Sequence, residues 1–262
     1  MKLTILILTF LLIGSESSQA DELVTLQTRP DVDQKFILLT HAKPVASVIL
    51  FPGGKGTLNL SSVHGVPTIN WGENNFLVRT RDMFTKNGFM VSVIDAPSDH
   101  QSRKGMFGGF RDSEDHVTDI DHVISALRKR ADVPVWLVGT SRGTESAASI
   151  AIYSKQKPDG LILTSSISIS NFKGTAVTKM ALEKIRIPTL IVAHTNDSCD
   201  KTPPEGAQEI ADMLTNASTV EVKLLNGGDE PTSKPCEAKS YHGFWGIESQ
   251  VVDYISDFIM DN

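Results

Sequence analysis

The chain has 262 residues, 40% of them hydrophobic and 21% charged, with a net charge of −6. That length suits one α/β domain whose core needs neither a metal nor a disulfide merely to fold. The acidic balance and the lack of a long basic run exclude nucleic acid and an anionic membrane surface as expected partners.

Residues 1–20 differ from the rest. Lys2 is followed by an almost wholly apolar run, Leu3 to Ile13, then a polar stretch, Gly14 to Gln19, and Ala20. Small residues at Ser18 and Ala20 fit a signal-peptide cleavage site, which predicts a mature start at Asp21. The apolar run is shorter than the roughly 18 residues that span a bilayer, and no cysteine at the cleavage point invites a lipid. The expectation is a periplasmic or secreted product without a stable membrane anchor, residues 21–262 forming one domain.

After Asp21, Val24-Thr25-Leu26 and Phe36 to Leu39 read as an opening strand pair. Ser47 to Phe51 is an apolar run stopped by Pro52-Gly53-Gly54, and Phe89 to Ile94 another stopped by Asp95-Ala96-Pro97. Val117, Ile120, Ile124 and Leu127 recur at helical spacing, with Lys129-Arg130 closing that segment. Val133 to Val138, Leu161 to Leu163, a helix near Ala176, Thr189 to Ala193 and Val220 to Leu225 follow. A terminal helix is marked by Ile247, Val251, Tyr254, Ile255, Phe258 and Ile259. Continuous apolar runs bounded by turn residues suit strands covered on both faces. Their alternation with helices predicts a doubly wound, mostly parallel α/β sheet. The stretch between Leu161 and Ala176 is too short for a separate lid domain.

The strongest chemical signal is Gly139-Thr140-Ser141-Arg142-Gly143, which matches G-x-S-x-G between a strand and a helix of small residues. A turn this sharp strains the serine backbone and lifts its Oγ clear of the sheet, and the flanking glycines relieve the crowding. A nucleophilic serine needs a base, and the base an orienting acid. Only His194 and His242 follow Ser141. His242, in a loop before the terminal helix, is the candidate base. Asp197 and Asp200 lie beyond the strand Thr189 to Ala193, where catalytic loops gather in open α/β sheets. Asp197, nearer the strand end, is preferred as the acid.

Pro52-Gly53-Gly54, Gly139 to Gly143, Asp197 and His242, in that order, resemble the α/β-hydrolase superfamily, over most of the chain from about Lys35 to Ile259. The resemblance implies an eight-stranded, mostly parallel sheet and acyl transfer through a covalent serine ester, with no cofactor. It also implies an oxyanion hole built from the N–H of Arg142 and one from the Pro52 to Gly56 loop. The superfamily's usual His-Gly reads Pro-Gly here, so Gly54 is the preferred second donor and Lys55 the alternative. If the triad forms, the loops carrying Cys199 and Cys236 meet, and the two cysteines can bridge. Closing about 36 residues would stabilise by about 3–4 kcal/mol.

Other readings are weaker. Gly54-Lys55-Gly56-Thr57 lacks the earlier glycine and the Lys-Ser/Thr pair of a phosphate-binding loop, and the histidines show no metal spacing. Arg142 either faces an anionic substrate group or pairs with Glu145 or Asp95. Met106-Phe107-Gly108-Gly109-Phe110 either lines a substrate pocket, with Lys55, Phe107 and Phe110 on its wall, or docks on the body of the protein. The expected function is hydrolysis of an ester, thioester or amide of a small-molecule or acyl substrate, most simply a carboxylic ester. The alternatives are a peptidase, an acyltransferase, or a silent binding protein on the same fold.

Overall fold

The computed structural model describes residues 21–262; the segment expected to be a signal peptide lies outside them. Among these residues ten strands and six α-helices follow one another. A hairpin of β1 (Glu22–Arg29) and β2 (Val32–Leu39) opens it, followed by β3 (Ala46–Phe51), a small hairpin of β4 (Ser61–Val63) and β5 (Val66–Thr68), and two short helices, α1 (Phe76–Arg79) and α2 (Arg81–Lys86). Then come β6 (Phe89–Ile94), α3 (Glu114–Arg130), β7 (Val135–Thr140), α4 (Gly143–Tyr153) and β8 (Gly160–Thr164). The chain finishes with β9 (Thr189–His194), α5 (Gly206–Met213), β10 (Val220–Leu225) and α6 (Glu248–Asp261).

Eight strands form one sheet in the order β1-β2-β6-β3-β7-β8-β9-β10. β2 runs antiparallel to both β1 and β6, and the six strands from β6 to β10 are parallel. Burial explains the sequence pattern. Every residue of β3, β6, β7, β8 and β9 is buried, as befits central strands covered twice, whereas the edge strands β1 and β10 are partly exposed. Successive side chains leave a strand on opposite faces. Ile49, Phe51 and Leu137 therefore pack with α3, α4 and α5, and Val48, Leu50, Trp136 and Val138 pack with Leu77, Phe84, Val251 and Ile255 on the other side.

The hairpin, the parallel sheet, the long helix and the terminal helix fall where the sequence places them. The strand predicted over Val133 to Val138 runs on through Thr140, so it delivers Ser141 directly from its end. One expectation fails: no α-helix forms near Ala176. Residues 177–184 make two single 3₁₀ turns, because Val177 N–H bonds Ile167 O and the Thr178 hydroxyl bonds Ser168 O. These bonds tie the turns back to residues 167 and 168, just after β8. The β8–β9 connection thus carries no inserted lid domain.

Candidate active site

Ser141 stands where β7 turns into α4, with φ +52. For a residue with a Cβ this is a strained conformation, held by its surroundings. Ser141 N–H donates to Thr164 O at 3.0 Å, and Ser141 O accepts from the N–H and hydroxyl of Thr144 at 2.9 and 2.6 Å. The motif glycines are sterically required. A Cβ on Gly143 would lie 1.9 Å from Phe51 O, and one on Gly139 would lie 2.6 Å from Gly143 O. No side chain fits between β3 and the start of α4, which explains both glycines.

The histidine comes from a single 3₁₀ turn, Tyr241–Gly243, closed by Phe244 in the left-handed region at φ +56. Phe244 is buried against Phe76, the two rings 5.0 Å apart. Arg79 donates to Gly243 O at 2.6 Å and pairs with Glu248 at 2.8 Å, fixing the turn to α1 and α6. Ser165, a non-glycine at φ +42, donates its hydroxyl to His242 O at 2.8 Å. Both strained serines thus sit at neighbouring strand ends, and Ser165 is bonded to the histidine turn.

His242 Nδ1 lies 2.9 Å from Asp197 Oδ2, and both side chains are buried. Asp197 accepts two further bonds, from Cys199 N–H at 2.9 Å and the Thr202 hydroxyl at 2.8 Å. Asp200 is different: its side chain is 73% exposed and pairs with Lys201. Of the two candidate acids only Asp197 reaches the histidine. The Cys199–Cys236 disulfide is formed, joining the loop after β9 to the loop before the histidine turn. His194 is stacked on Tyr241 with its Nε2 against Gly227 O at 2.9 Å and its Nδ1 accepting from Asn196 N–H at 3.0 Å. Both ring nitrogens are occupied, so it supports the loops.

The loop after β3 lies against the serine. A Cβ on Gly53 would stand 2.9 Å from Ser141 Cβ. Among the described residues, the N–H groups of Arg142, Gly54 and Lys55 have no protein acceptor. Beneath this loop runs a buried polar layer. Arg111 donates to Pro52 O at 2.9 Å, Gly54 O at 3.3 Å and Ser146 Oγ at 2.7 Å. Complete burial pushes its guanidinium down to about 10, so it stays charged near neutrality. Arg142 is buried between Glu145 and Asn171 Oδ1. Its guanidinium therefore pairs with Glu145 in the interior. Burial, partly offset by Arg111 and Arg142, pushes the Glu145 carboxyl up to about 7. Asp95 is occupied elsewhere, its carboxylate accepting from the N–H groups of Leu58, Asn59, Leu60 and Ala96.

Around the loop, the Lys55 ammonium lies 4.2 Å over the Trp71 ring and the Lys173 ammonium 5.1 Å over Phe107. Phe107 is half-buried, but Phe110 is buried and stacks on His100 at 3.6 Å. Phe110 thus belongs to the packing of the loop and lines no open wall. Among the described residues one group of potential metal donors comes together, Cys199, Asp200 and Cys236, and its two sulfurs are bonded to each other. Sequence reasoning missed Thr202, Ser165 and Arg111. The only local signal among them is Arg111, a single cation closing an apolar glycine-rich stretch.

No protein-family model and no curated protein matches the chain. Solved structures do. An esterase of Pyrococcus furiosus superposes with TM-score 0.63 at 13% identity, covering 92% of each chain. A dienelactone hydrolase from Anabaena variabilis gives 0.62 at 13%, covering 93% of this chain and 98% of that one. A thermostable carboxyl esterase from Bacillus coagulans gives 0.61 at 14%, covering 93% and 99%. At such identities the likeness shows the fold, and the fold is that of the α/β-hydrolases.

Proposed function

We propose that the protein is a serine hydrolase acting on a carboxylic ester outside the cytoplasm, with Ser141 as nucleophile, His242 as base and Asp197 as orienting acid. The observation that carries this reading is the pairing of a strained serine at the β7–α4 elbow with a buried His242–Asp197 hydrogen bond at 2.9 Å. The structural neighbours, among them an esterase, a carboxyl esterase and a dienelactone hydrolase, support the same class by analogy of fold.

In the proposed mechanism, Ser141 Oγ attacks the ester carbonyl as His242 Nε2 takes its proton. The negative charge that develops on the carbonyl oxygen is held by the N–H groups of Arg142 and Gly54, which have no acceptor among the described residues. Collapse breaks the bond to the alcohol, which leaves with the proton from His242. Water, deprotonated by the same histidine, then attacks the acyl-serine and releases the acid. Asp197 keeps the proton of His242 on Nδ1, leaving Nε2 free as the base. No step requires a cofactor. Export is supported by the disulfide, which persists in oxidising compartments. In addition, no helix among the described residues is long and apolar enough to cross a membrane.

The test is fluorophosphonate labelling of residues 21–262 read by intact mass, beside Ser141→Ala. One adduct, absent from the variant, is the expected result. Folded wild-type protein that takes no adduct would move the assignment to a non-catalytic binding protein. A panel of acyl esters against aminoacyl amides then separates esterase from peptidase.

A further inference from the structure

Asn75 precedes α1 and caps it, its Oδ1 accepting from Leu77 N–H at 3.2 Å. Its backbone is also engaged, N–H to Gly72 O at 2.8 Å and C=O to Arg79 N–H at 2.9 Å. The cap settles which end of the amide is which, since only oxygen can accept. Nδ2 therefore points away from the helix. Among the described residues it has no acceptor, and Asn75 is half-buried, so this donor opens onto accessible space.

The donor lies close to the Gly53 loop and the serine elbow. A methyl group placed on Gly53 would touch Ser141 Cβ at 2.9 Å on one side and Asn75 Nδ2 at 3.3 Å on another. The absence of a side chain at Gly53 thus lets Ser141 Cβ, Thr140 O and Asn75 Nδ2 converge within 2.9–3.3 Å of one point, next to the N–H of Gly54. A donor with no partner among the described residues, fixed by a cap and close to the serine elbow, is preorganised for charge that appears only during reaction.

We propose that Asn75 is a further catalytic residue, its Nδ2–H donating a third hydrogen bond to the oxyanion of the tetrahedral intermediate. No proton is transferred; the bond forms as the carbonyl oxygen gains charge and is released when the leaving group departs. The proposal rests on the Ser141 reading above.

The cap and the donor can be separated. Serine and aspartate cap helices as well as asparagine, but neither reproduces an amide N–H. The experiment measures inactivation by a fluorophosphonate, whose phosphoryl oxygen occupies the oxyanion position, with kcat and KM for p-nitrophenyl butyrate and the melting temperature of each variant. Asn75→Ser should label about 10²-fold more slowly and lose kcat by a similar factor, with KM within threefold and an unchanged melting temperature. Asn75→Asp, which brings a negative charge to the oxyanion, should lose more. Wild-type rates in folded Asn75→Ser would overturn the assignment and leave Asn75 as a cap alone. Wild-type protein that takes no label would instead remove the serine reading itself, and this proposal with it.

Discussion

The hydroxyl of Thr202 stands 3.0 Å from His242 Nδ1 and 2.8 Å from Asp197 Oδ2, the oxygen that His242 reaches at 2.9 Å. A carboxylate only accepts, so the single hydroxyl proton goes to Asp197. The Nδ1–H of His242 is then shared between Asp197 and the threonine oxygen. Both contacts favour the tautomer with Nδ1 protonated and Nε2 available as a base.

Replacing Thr202 by valine keeps the shape and removes this hydroxyl. The expected loss in kcat is about tenfold, near the ~1–2 kcal/mol of one buried bond to a charged group, and Thr202→Ser should recover most of it. Steady-state kinetics on the three proteins, with melting temperatures as a control, decide the matter. A valine variant as fast as wild type would reduce Thr202 to a packing role.

The placement of Ser141 at a strand end and the meeting of His242 with Asp197 were legible because each residue has a signature tied to the chain. The serine lies in a fixed-spacing motif at the end of a buried strand, and the other two follow in chain order beyond strand ends. Choosing Asp197 over Asp200 needed only proximity to β9, and the exposure of Asp200 agrees with that choice. Arg111, Thr202 and Asn75 left no comparable mark. Arg111 meets Pro52 across 59 residues and Ser146 across 35, and Thr202 meets His242 across 40. Such contacts have no period. The failed helix near Ala176 gives way to turns tied back across ten residues, Val177 N–H to Ile167 O and the Thr178 hydroxyl to Ser168 O.

Arg111 is predicted to act through the loop it holds. Its guanidinium binds two carbonyls of the Pro52 to Gly56 turn and a hydroxyl of α4, so it sets the position of the proposed Gly54 donor. Arg111→Lys, which keeps the charge but not the fork, should lower kcat by about 10–100-fold while leaving KM within a few-fold. Affinity for a trifluoromethyl ketone, whose hydrate mimics the intermediate, should fall in parallel. Loss of KM alone, with that affinity intact, would argue that Arg111 shapes substrate binding instead.

The disulfide bears on stability and on the acid loop. Its sequence separation of 37 corresponds to about 3–4 kcal/mol in the chain-entropy treatment, or a fall in Tm of roughly 6–15 °C on removal. Cys199 N–H also donates to Asp197 Oδ1, so the bridge steadies the carboxylate. Cys236→Ser, assayed well below its own Tm, should show reduced kcat with little change in KM. A Cys236→Ser variant with both the Tm and the kcat of wild type would mean that the bridge contributes nothing to either property.

His116 supplies the pH prediction. It is wholly buried, packed against Phe51 and Phe110, and neither ring nitrogen has a hydrogen-bond partner among the described residues. Burial, with the nearby Arg111 charge adding to it, pushes its imidazolium down to about 3 from an ordinary 6.5. The unfolded chain therefore takes up this proton first as the pH falls. Stability is fully present above about pH 6.5 and is lost towards pH 3, by at most about 1.4 kcal/mol per pH unit from this group. Glu145 works in the opposite sense: its carboxyl, raised from 4.5 to about 7 mainly by burial, makes the folded state weaker as pH rises through that window. Comparing wild type with His116→Leu cancels the Glu145 contribution. Urea midpoints at pH 7.5 and 5.0 should fall further for wild type than for the variant, because leucine has no proton to bind. Equal falls would show that His116 is protonated in the folded protein and has a partner that the buried site supplies on demand.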